Sequence, residues 1–211
     1  MTRTEAIALL AFRLGQRTDL DAAILAEMVL TQSVLEQEGD SIPWFLVSEM
    51  SSASTVVGEE RIATPTDFLG LLEEEPMWVF DAAATPTWSA LLKTSYVAMV
   101  QRFPLLGKPR CFDLAGDYFL LRPIPDAVYG LRLRYAAADV SVSASAGENN
   151  WLRYAPDLLI AETGAVMAGK YLQNPKLRAE FKEDALVARR RLWIKTESRL
   201  HNGRTYGMGE D

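Results

Sequence analysis

The stretch Asn149-Asn150-Trp151-Leu152-Arg153-Tyr154-Ala155-Pro156-Asp157-Leu158-Leu159, running on to Leu172, decides how this chain is read. It starts a helix twice. Asn150 is placed to cap a first short turn with its side-chain oxygen. Pro156 then stands where a second helix begins, because the first helical position has no use for the missing N–H. Asp157 adds negative charge at the positive end of the helix dipole. From Pro156 onward Leu158, Leu159, Ile160, Val166 and Met167 make the segment apolar nearly all round, which predicts a central, buried helix. Gly164, Ala165, Ala168 and Gly169 are small enough to let another helix come close. Trp151, Leu158 and Leu159, with Trp44 from upstream, are the expected core anchors.

Outward from this stretch the chain stays helical on the C-terminal side. Asn174 reads as a cap and Pro175 as a first helical residue, and a long helix is expected to about residue 200. Phe181, Ala185, Ala188, Leu192 and Lys195 mark its narrower buried stripe. Residues 201–211 hold three glycines without an apolar pattern and read as an extended, flexible tail. At the N-terminus, Ile7, Leu10 and Leu14 have helical spacing ahead of Gly15. A second helix is expected after Thr18, with Asp19 and Asp21 in its first turn, continuing to Gly39. The short link makes the two antiparallel.

The middle of the chain has β texture. Residues 42–47, with Pro43, Trp44 and Phe45, read as a strand and residues 51–55 as a small polar loop. Residues 56–62 can pair back as a hairpin, 64–69 carry a helix-start signal for a single turn, and 77–81 read as another strand. Thr87 can cap a helix over residues 88–102. Ala115-Gly116-Asp117 between two apolar runs is a hairpin signal. Leu131 and Leu133 alternate with Arg132 and Arg134, as in a sheet with one face buried and one wet. The expected class is α+β: a small helical bundle from residues 1–40 and 149–200, an inserted antiparallel β region over 41–148, and the tail from 201.

Composition narrows the function. The chain has 211 residues and is 49% hydrophobic, enough for a real core. Its apolar runs fall short of a membrane span and no signal peptide is expected. One cysteine, Cys111, leaves no internal disulfide, so folding in the cytosol is the default. A net charge of −6 argues against a general nucleic-acid binder. Yet residues 175–204 carry nine Lys or Arg against four acids, a basic segment on an acidic body. Such a segment fits contact with a complementary surface, or simply a solvated helix face with basic residues toward its C-terminal end.

Catalytic patterns are scarce. The single histidine, His201, has no acid and nucleophile around it in sequence, and Cys111 falls in an apolar strand. One His and one Cys make a zinc site implausible. The Glu73-Glu74-Glu75 run reads as a solvated turn, and no phosphate-binding loop is present. Arg189, Arg190 and Arg191 could meet phosphate or carboxylate, but neighbours on a helix diverge by about 100°. No cofactor is expected. A hydrolase using Asp67, Glu73 or Asp157 is the reading from a different class.

The order of several short motifs resembles the head–tail adaptor (connector, head-completion) proteins of tailed bacteriophages. These are Pro43-Trp44-Phe45-Leu46, residues 61–68 with Pro65 and Asp67, Gly107-Lys108-Pro109, residues 121–126, residues 131–135, and above all Asn149-Asn150-Trp151-Leu152 to Ala155-Pro156-Asp157-Leu158-Leu159. The resemblance covers nearly the whole chain. It implies a non-enzymatic virion protein, made in the host cytoplasm. Such a protein forms a ring, commonly of twelve subunits, between portal and tail at one capsid vertex, with DNA passing through the lumen without sequence-specific binding. An acidic body suits that role, since a repulsive channel lets DNA slide. The same resemblance implies portal contact through Arg189, Arg190, Arg191, Lys195, Arg199, His201, Arg204 and Tyr206. It implies tail-facing loops at Ser51, Ser52 and Ser54 and at Ser145 and Gly147. The partners are then the portal protein, tail, nozzle or tail-terminator proteins, and further copies of the chain, with no membrane. A tail-terminator or tail-completion ring is the alternative, and would be richer in strand.

Overall fold

In the computed structural model, residues 1–38, 42–72, 76–81, 88–144 and 149–204 are described, without the side chains of Ser52 and of residues 200–204. The chain is α+β and divides into two compact units, Met1–Leu46 with Asp139–Asp211, and Val47–Ala138. The second unit is thus inserted in the sequence of the first.

The first unit is helical. Helix α1 (Arg3–Arg13) opens with a capping box: the Glu5 N–H donates to the Thr2 hydroxyl and the Thr2 N–H to the Glu5 carboxylate. Gly15 takes a positive φ of 91°, which ends the helix where a side chain would be strained. Thr18 does not cap the next helix. It starts a single 3-10 turn, Thr18–Leu20, and α2 (Asp21–Gln37) follows. Helix α4 (Asn150–Tyr154) is capped by Asn149, not Asn150: the Leu152 N–H donates to Asn149 Oδ1 at 2.9 Å. Asn150 sits one place inside, where its N–H and amide both meet Asp139. Helix α5 (Pro156–Lys170) has Pro156 at its first position and buries Leu158 and Leu159. Helix α6 (Pro175–Arg204) starts at Asn174, whose Oδ1 accepts from the Leu177 N–H at 3.0 Å.

The core of this unit gathers around α5. Trp151, Leu158, Leu159, Ala165 and Ala168 meet Leu10, Ile24 and Met28 on one side and Phe181, Ala185 and Ala188 on the other. Trp44 is half-buried, outside that core. Pro43 lacks an N–H and turns the chain, so Trp44–Leu46 form a 3-10 turn in place of the expected strand. The closest helix approach is at Gly164. A Cβ there would come within 2.4–2.7 Å of the fully buried Phe181 ring. The opposite end of the ring's environment is Arg13, whose guanidinium lies 4.2 Å from the ring centroid and pairs with Asp184 at 2.5 Å.

A second tie joins α2 to α5. Glu27 is buried and accepts from Lys170 Nζ at 2.6 Å and the Tyr171 hydroxyl at 3.0 Å. A polar knot lies beyond it. Gln32 Oε1 accepts from the Val142 N–H and from the Asn149 amide, while Asn149 Nδ2 also donates to the Val140 carbonyl. Trp151 Nε1 donates to Glu36 at 3.0 Å. These bonds satisfy polar groups that would otherwise be costly to bury.

The second unit is two facing sheets. One has the order β1 (Val47–Ser54), β9 (Gly130–Ala137), β4 (Met77–Phe80), β5 (Trp88–Ala90), with β3 (Phe68–Leu71) also along β9. The other runs β2 (Arg61–Ala63), β8 (Tyr118–Arg122), β7 (Cys111–Ala115), β6 (Leu92–Lys93). Met77, Val79, Leu131 and Leu133 from the first pack with Phe112, Phe119 and Leu121 from the second. Gly116, at φ 59°, turns the β7–β8 hairpin.

Several sequence expectations change here. The helix expected over 88–102 begins only at Tyr96; Thr87 lies outside the described residues. Trp88, Ser89 and Ala90 instead pair with Phe80, Val79 and Trp78. Helix α3 (Tyr96–Arg102) starts where the Asp113 carboxylate accepts the Tyr96 N–H at 2.8 Å. Residues 56–62 do not close a hairpin on themselves, and β2 pairs with β8. The expected helical turn near 68 is strand β3, drawn onto the end of β9.

Replacing Gly164 by Ala overpacks the Phe181 site, at a cost of about 1–3 kcal/mol, which exceeds the roughly 1 kcal/mol that alanine gains in helix propensity. At Gly169 the nearest group is the flexible end of Arg178, 3.1–3.6 Å away, which can swing aside. We expect Gly164→Ala to lower the unfolding midpoint in urea and Gly169→Ala to hold or raise it. Equal effects would mean that Phe181 moves freely. Tyr129 provides a pH test. Its hydroxyl donates to Asp126 at 2.6 Å, and that bond, with burial and the carboxylate charge, pushes its pKa up to about 12. The contribution is full below the unfolded value of about 10 and is lost as pH rises toward 12. Between those values Tyr129→Phe should flatten the alkaline decline in stability.

Candidate docking surfaces

Helix α6 carries most of the residues marked out for docking. It spans 30 residues, about 45 Å at 1.5 Å per residue. Its buried side is Phe181, Ala185, Ala188 and then Thr196, with Leu192 half-buried between. Lys195, expected in that stripe, is exposed. The spacing explains the correction: four residues on from Leu192 return to the core face at 196, whereas 195 falls nearly 100° away.

The three consecutive arginines do different things. Arg189 binds Glu38 at 2.7 Å and Glu162 at 2.7 Å, tying α6 to the end of α2 and to α5. Partial burial works against its charge, and hydrogen bonds to Glu162 and Glu38 outweigh that, holding its pKa up. Arg190, Arg191 and Lys195 are exposed and have no ion pair among the described residues. Further along, the Arg199 guanidinium stacks 3.6 Å from the Trp44 ring centroid, and Trp44 in turn meets Tyr154 edge-on at 4.6 Å. Trp44 therefore serves as a ledge for α6. The helix runs through His201 to Arg204, where an extended tail was expected. Tyr206 lies outside the described residues.

Beside Arg189 and Arg190 lies a groove of about 380 Å³, with Leu35, Pro43, Trp151 and Leu158 opposite Leu186 and Trp193. Charged rim and apolar floor are features of a protein-docking site. A second groove, about 740 Å³, lies between α1 and α2 and includes Ala8, Phe12, Asp21, Ala22 and Leu25.

The serines expected in a tail-facing loop are in a strand. Ser51, Ser52 and Ser54 belong to β1, at the edge of its sheet, where pairing with β9 slips between Met50 and Ala53. Small polar residues look like a loop in sequence, but β9 alternates strongly enough to recruit them. Ser145 and Gly147 lie outside the described residues.

Asp67 accepts from the Tyr135 hydroxyl at 3.0 Å, Asp157 is exposed at the start of α5, and Glu73 is outside the described residues. Cys111 is buried and its thiol donates to the Arg122 carbonyl at 3.3 Å; burial pushes its pKa up, away from a reactive thiolate. No group of three or more potential metal ligands occurs among the described residues, and no helix there is long and apolar enough to cross a membrane.

A family model described as SU10 adaptor protein matches residues 1–205. The chain belongs to that family. SU10 adaptors are head–tail adaptors of phages, so this chain is a phage adaptor protein and a structural component of the virion. No curated protein matches it. Membership of an adaptor family implies interaction with other phage head or tail proteins.

Arg189 and Arg190 differ in what they contribute to stability. Arg189→Ala removes two partly exposed ion pairs, each worth about 1 kcal/mol or less, and should lower the melting temperature by a few degrees in low salt and less in 0.5 M salt. Arg190→Ala should leave the melting temperature unchanged. Calorimetry at the two ionic strengths checks both.

Proposed function

We propose that this adaptor forms a ring, of about twelve copies by its resemblance, that joins the portal of a phage head to the tail. DNA passes through the lumen without sequence-specific contact. The match to the adaptor family over residues 1–205 carries the proposal. The acidic balance of the chain, −6, supports a conduit that repels phosphate. The share of helix, 47% against 24% strand, favours a portal-side adaptor over a tail-terminator ring, which would be richer in strand.

Portal contact is assigned to the distal part of α6 and the residues that follow it. Arg190, Arg191 and Lys195 are exposed on that helix, and Arg199, His201, Arg204 and Tyr206 continue the segment. Arg189 contributes by holding α6 in place. The inserted unit, with the edge strand holding Ser51, Ser52 and Ser54 and the connection holding Ser145 and Gly147, is assigned to the tail side.

Removing residues 201–211 should weaken binding to portal protein at least tenfold while the circular dichroism spectrum and melting temperature of the remainder hold. Arg190→Glu with Arg191→Glu should weaken it further and make the residual affinity less salt-dependent. Unchanged affinity in both variants, measured by biolayer interferometry on immobilised portal, would remove the portal assignment from α6.

A further inference from the structure

The inserted unit carries an apolar knob that the described residues leave uncovered. Between α3 and β7, the run Phe103-Pro104-Leu105-Leu106-Gly107-Lys108-Pro109-Arg110 puts two leucines in water. Leu105 is 76% exposed, the most of any large apolar side chain among the described residues, and Leu106 is 62% exposed. The backbone holds them there. Phe103 closes α3, its N–H donating to the Met99 carbonyl at 2.8 Å, and it packs against Met99, Cys111 and Leu120. Leu106 bridges to Ile124, the Gly107 N–H donates to the Ile124 carbonyl at 2.8 Å, and the Arg110 N–H donates to the Arg122 carbonyl at 2.8 Å. The segment is thus anchored on both sides of the leucines. Leu92, itself 52% exposed, lies beside it, with its N–H donating to the Arg110 carbonyl at 3.1 Å. Adjacent leucines pinned outward mark an interaction site.

The charge around the knob is of one sign. Residues 88–112 contain Lys93, Arg102, Lys108 and Arg110 and no Asp or Glu. Arg102 and Arg110 are exposed and Lys108 is half-buried. None of these three has an ion pair among the described residues. Arg102 lies over the Phe103 ring, 5.4 Å from its centroid. The next acid along the chain, Asp113, is occupied by the N–H groups of Tyr96 and Leu114, and Glu60 is paired with Arg122. Two leucines flanked by unspent cations fit an apolar socket rimmed by carboxylates, since the cations lose water on docking and need acids to replace it. An adaptor interacts with other phage head or tail proteins, which makes that socket part of a protein and not a lipid surface. We infer that the knob at residues 104–107 docks in an acid-rimmed apolar socket on a different protein of the virion. The inference rests on the adaptor reading above and is independent of what α6 meets.

The test places the photo-crosslinker benzoylphenylalanine at Leu105 in chains assembled into phage particles. Irradiation should join the chain to a second virion protein, and mass spectrometry should place the adduct on a segment of that protein that bears Asp or Glu. Adducts only between copies of this chain, or a chain present in particles that gives none, overturn the inference and leave the adaptor reading standing. Particles that form without the chain reject the adaptor reading and this contact with it. In the same particles, Lys108→Glu with Arg110→Glu should lower the adduct yield per incorporated chain severalfold, and the neutral pair Lys108→Gln with Arg110→Gln should lower it less, with the melting temperature held in both. An unchanged yield removes the acidic rim, and the inference with it. Phosphatidylglycerol vesicles test the lipid alternative: cosedimentation of the chain that is lost in Leu105→Asp with Leu106→Asp would assign the knob to a membrane and overturn the protein socket.

Discussion

The helical unit depends on one close contact, the Phe181 ring against Gly164. Two helices separated by ordinary side chains stay about 8–10 Å apart. Gly164 lets α6 come nearer, and the buried ring fills the space its missing side chain leaves. Arg13 then covers the ring with its guanidinium and reaches Asp184, so α1, α5 and α6 meet at a single residue. The contact also sets the rotation of α6. With Phe181 inward, Ala185 and Ala188 follow it, and Leu186, Trp193 and Ile194 are left facing out. The apolar outer face is thus a consequence of how the inner face is seated.

Polar ties then fix what packing leaves free. Aliphatic contacts tolerate sliding along a helix, whereas a buried carboxylate or amide must meet particular atoms. Glu27 with Lys170 and Tyr171 sets α2 against the end of α5, and Gln32 with Asn149 sets α2 against the segment where the chain returns to its helices. Arg189, clamped between Glu38 and Glu162, does the same for α6. A helix held in this way presents Arg190 and Arg191 from a rigid base.

The parts of this fold legible in sequence are those where local chemistry and tertiary packing agree. Pro156, Asp157, Asn174 and Pro175 mark helix starts by their own backbone and side-chain properties, and α5 and α6 begin there. The Leu131–Leu133 alternation likewise reads directly as a half-buried strand. Where the two levels conflict, tertiary pairing wins. Trp88 to Ala90 have helical neighbours in sequence but find Phe80, Val79 and Trp78 across a sheet. Ser51 to Ser54 have no intrinsic strand signal and are held by β9. Asn149 and Asn150 are equally good caps by type; Asp139, distant by ten residues and more, takes the Asn150 N–H and leaves the cap to Asn149. The exposed surfaces were half-legible for a similar reason. Three adjacent arginines are visible in sequence, but which of them is spent inside the subunit depends on Glu38 and Glu162. The exposed faces of α1 and α2 gave no signal, since Phe12, Leu30 and Val34 look like core residues until the direction of the core is known.

That direction bears on how an adaptor avoids assembling too soon. Faces rich in Ala, Leu and Phe attract one another without specificity, and a chain carrying two of them risks aggregation as an open filament. Here the uncharged α1–α2 face is bordered by Arg3 and Asp21, and the outward side of α6 is interrupted by Glu183, Arg190 and Glu197 at seven-residue intervals. A row of charges through an apolar face costs desolvation in any mismatched pairing and is compensated only where opposite charges align.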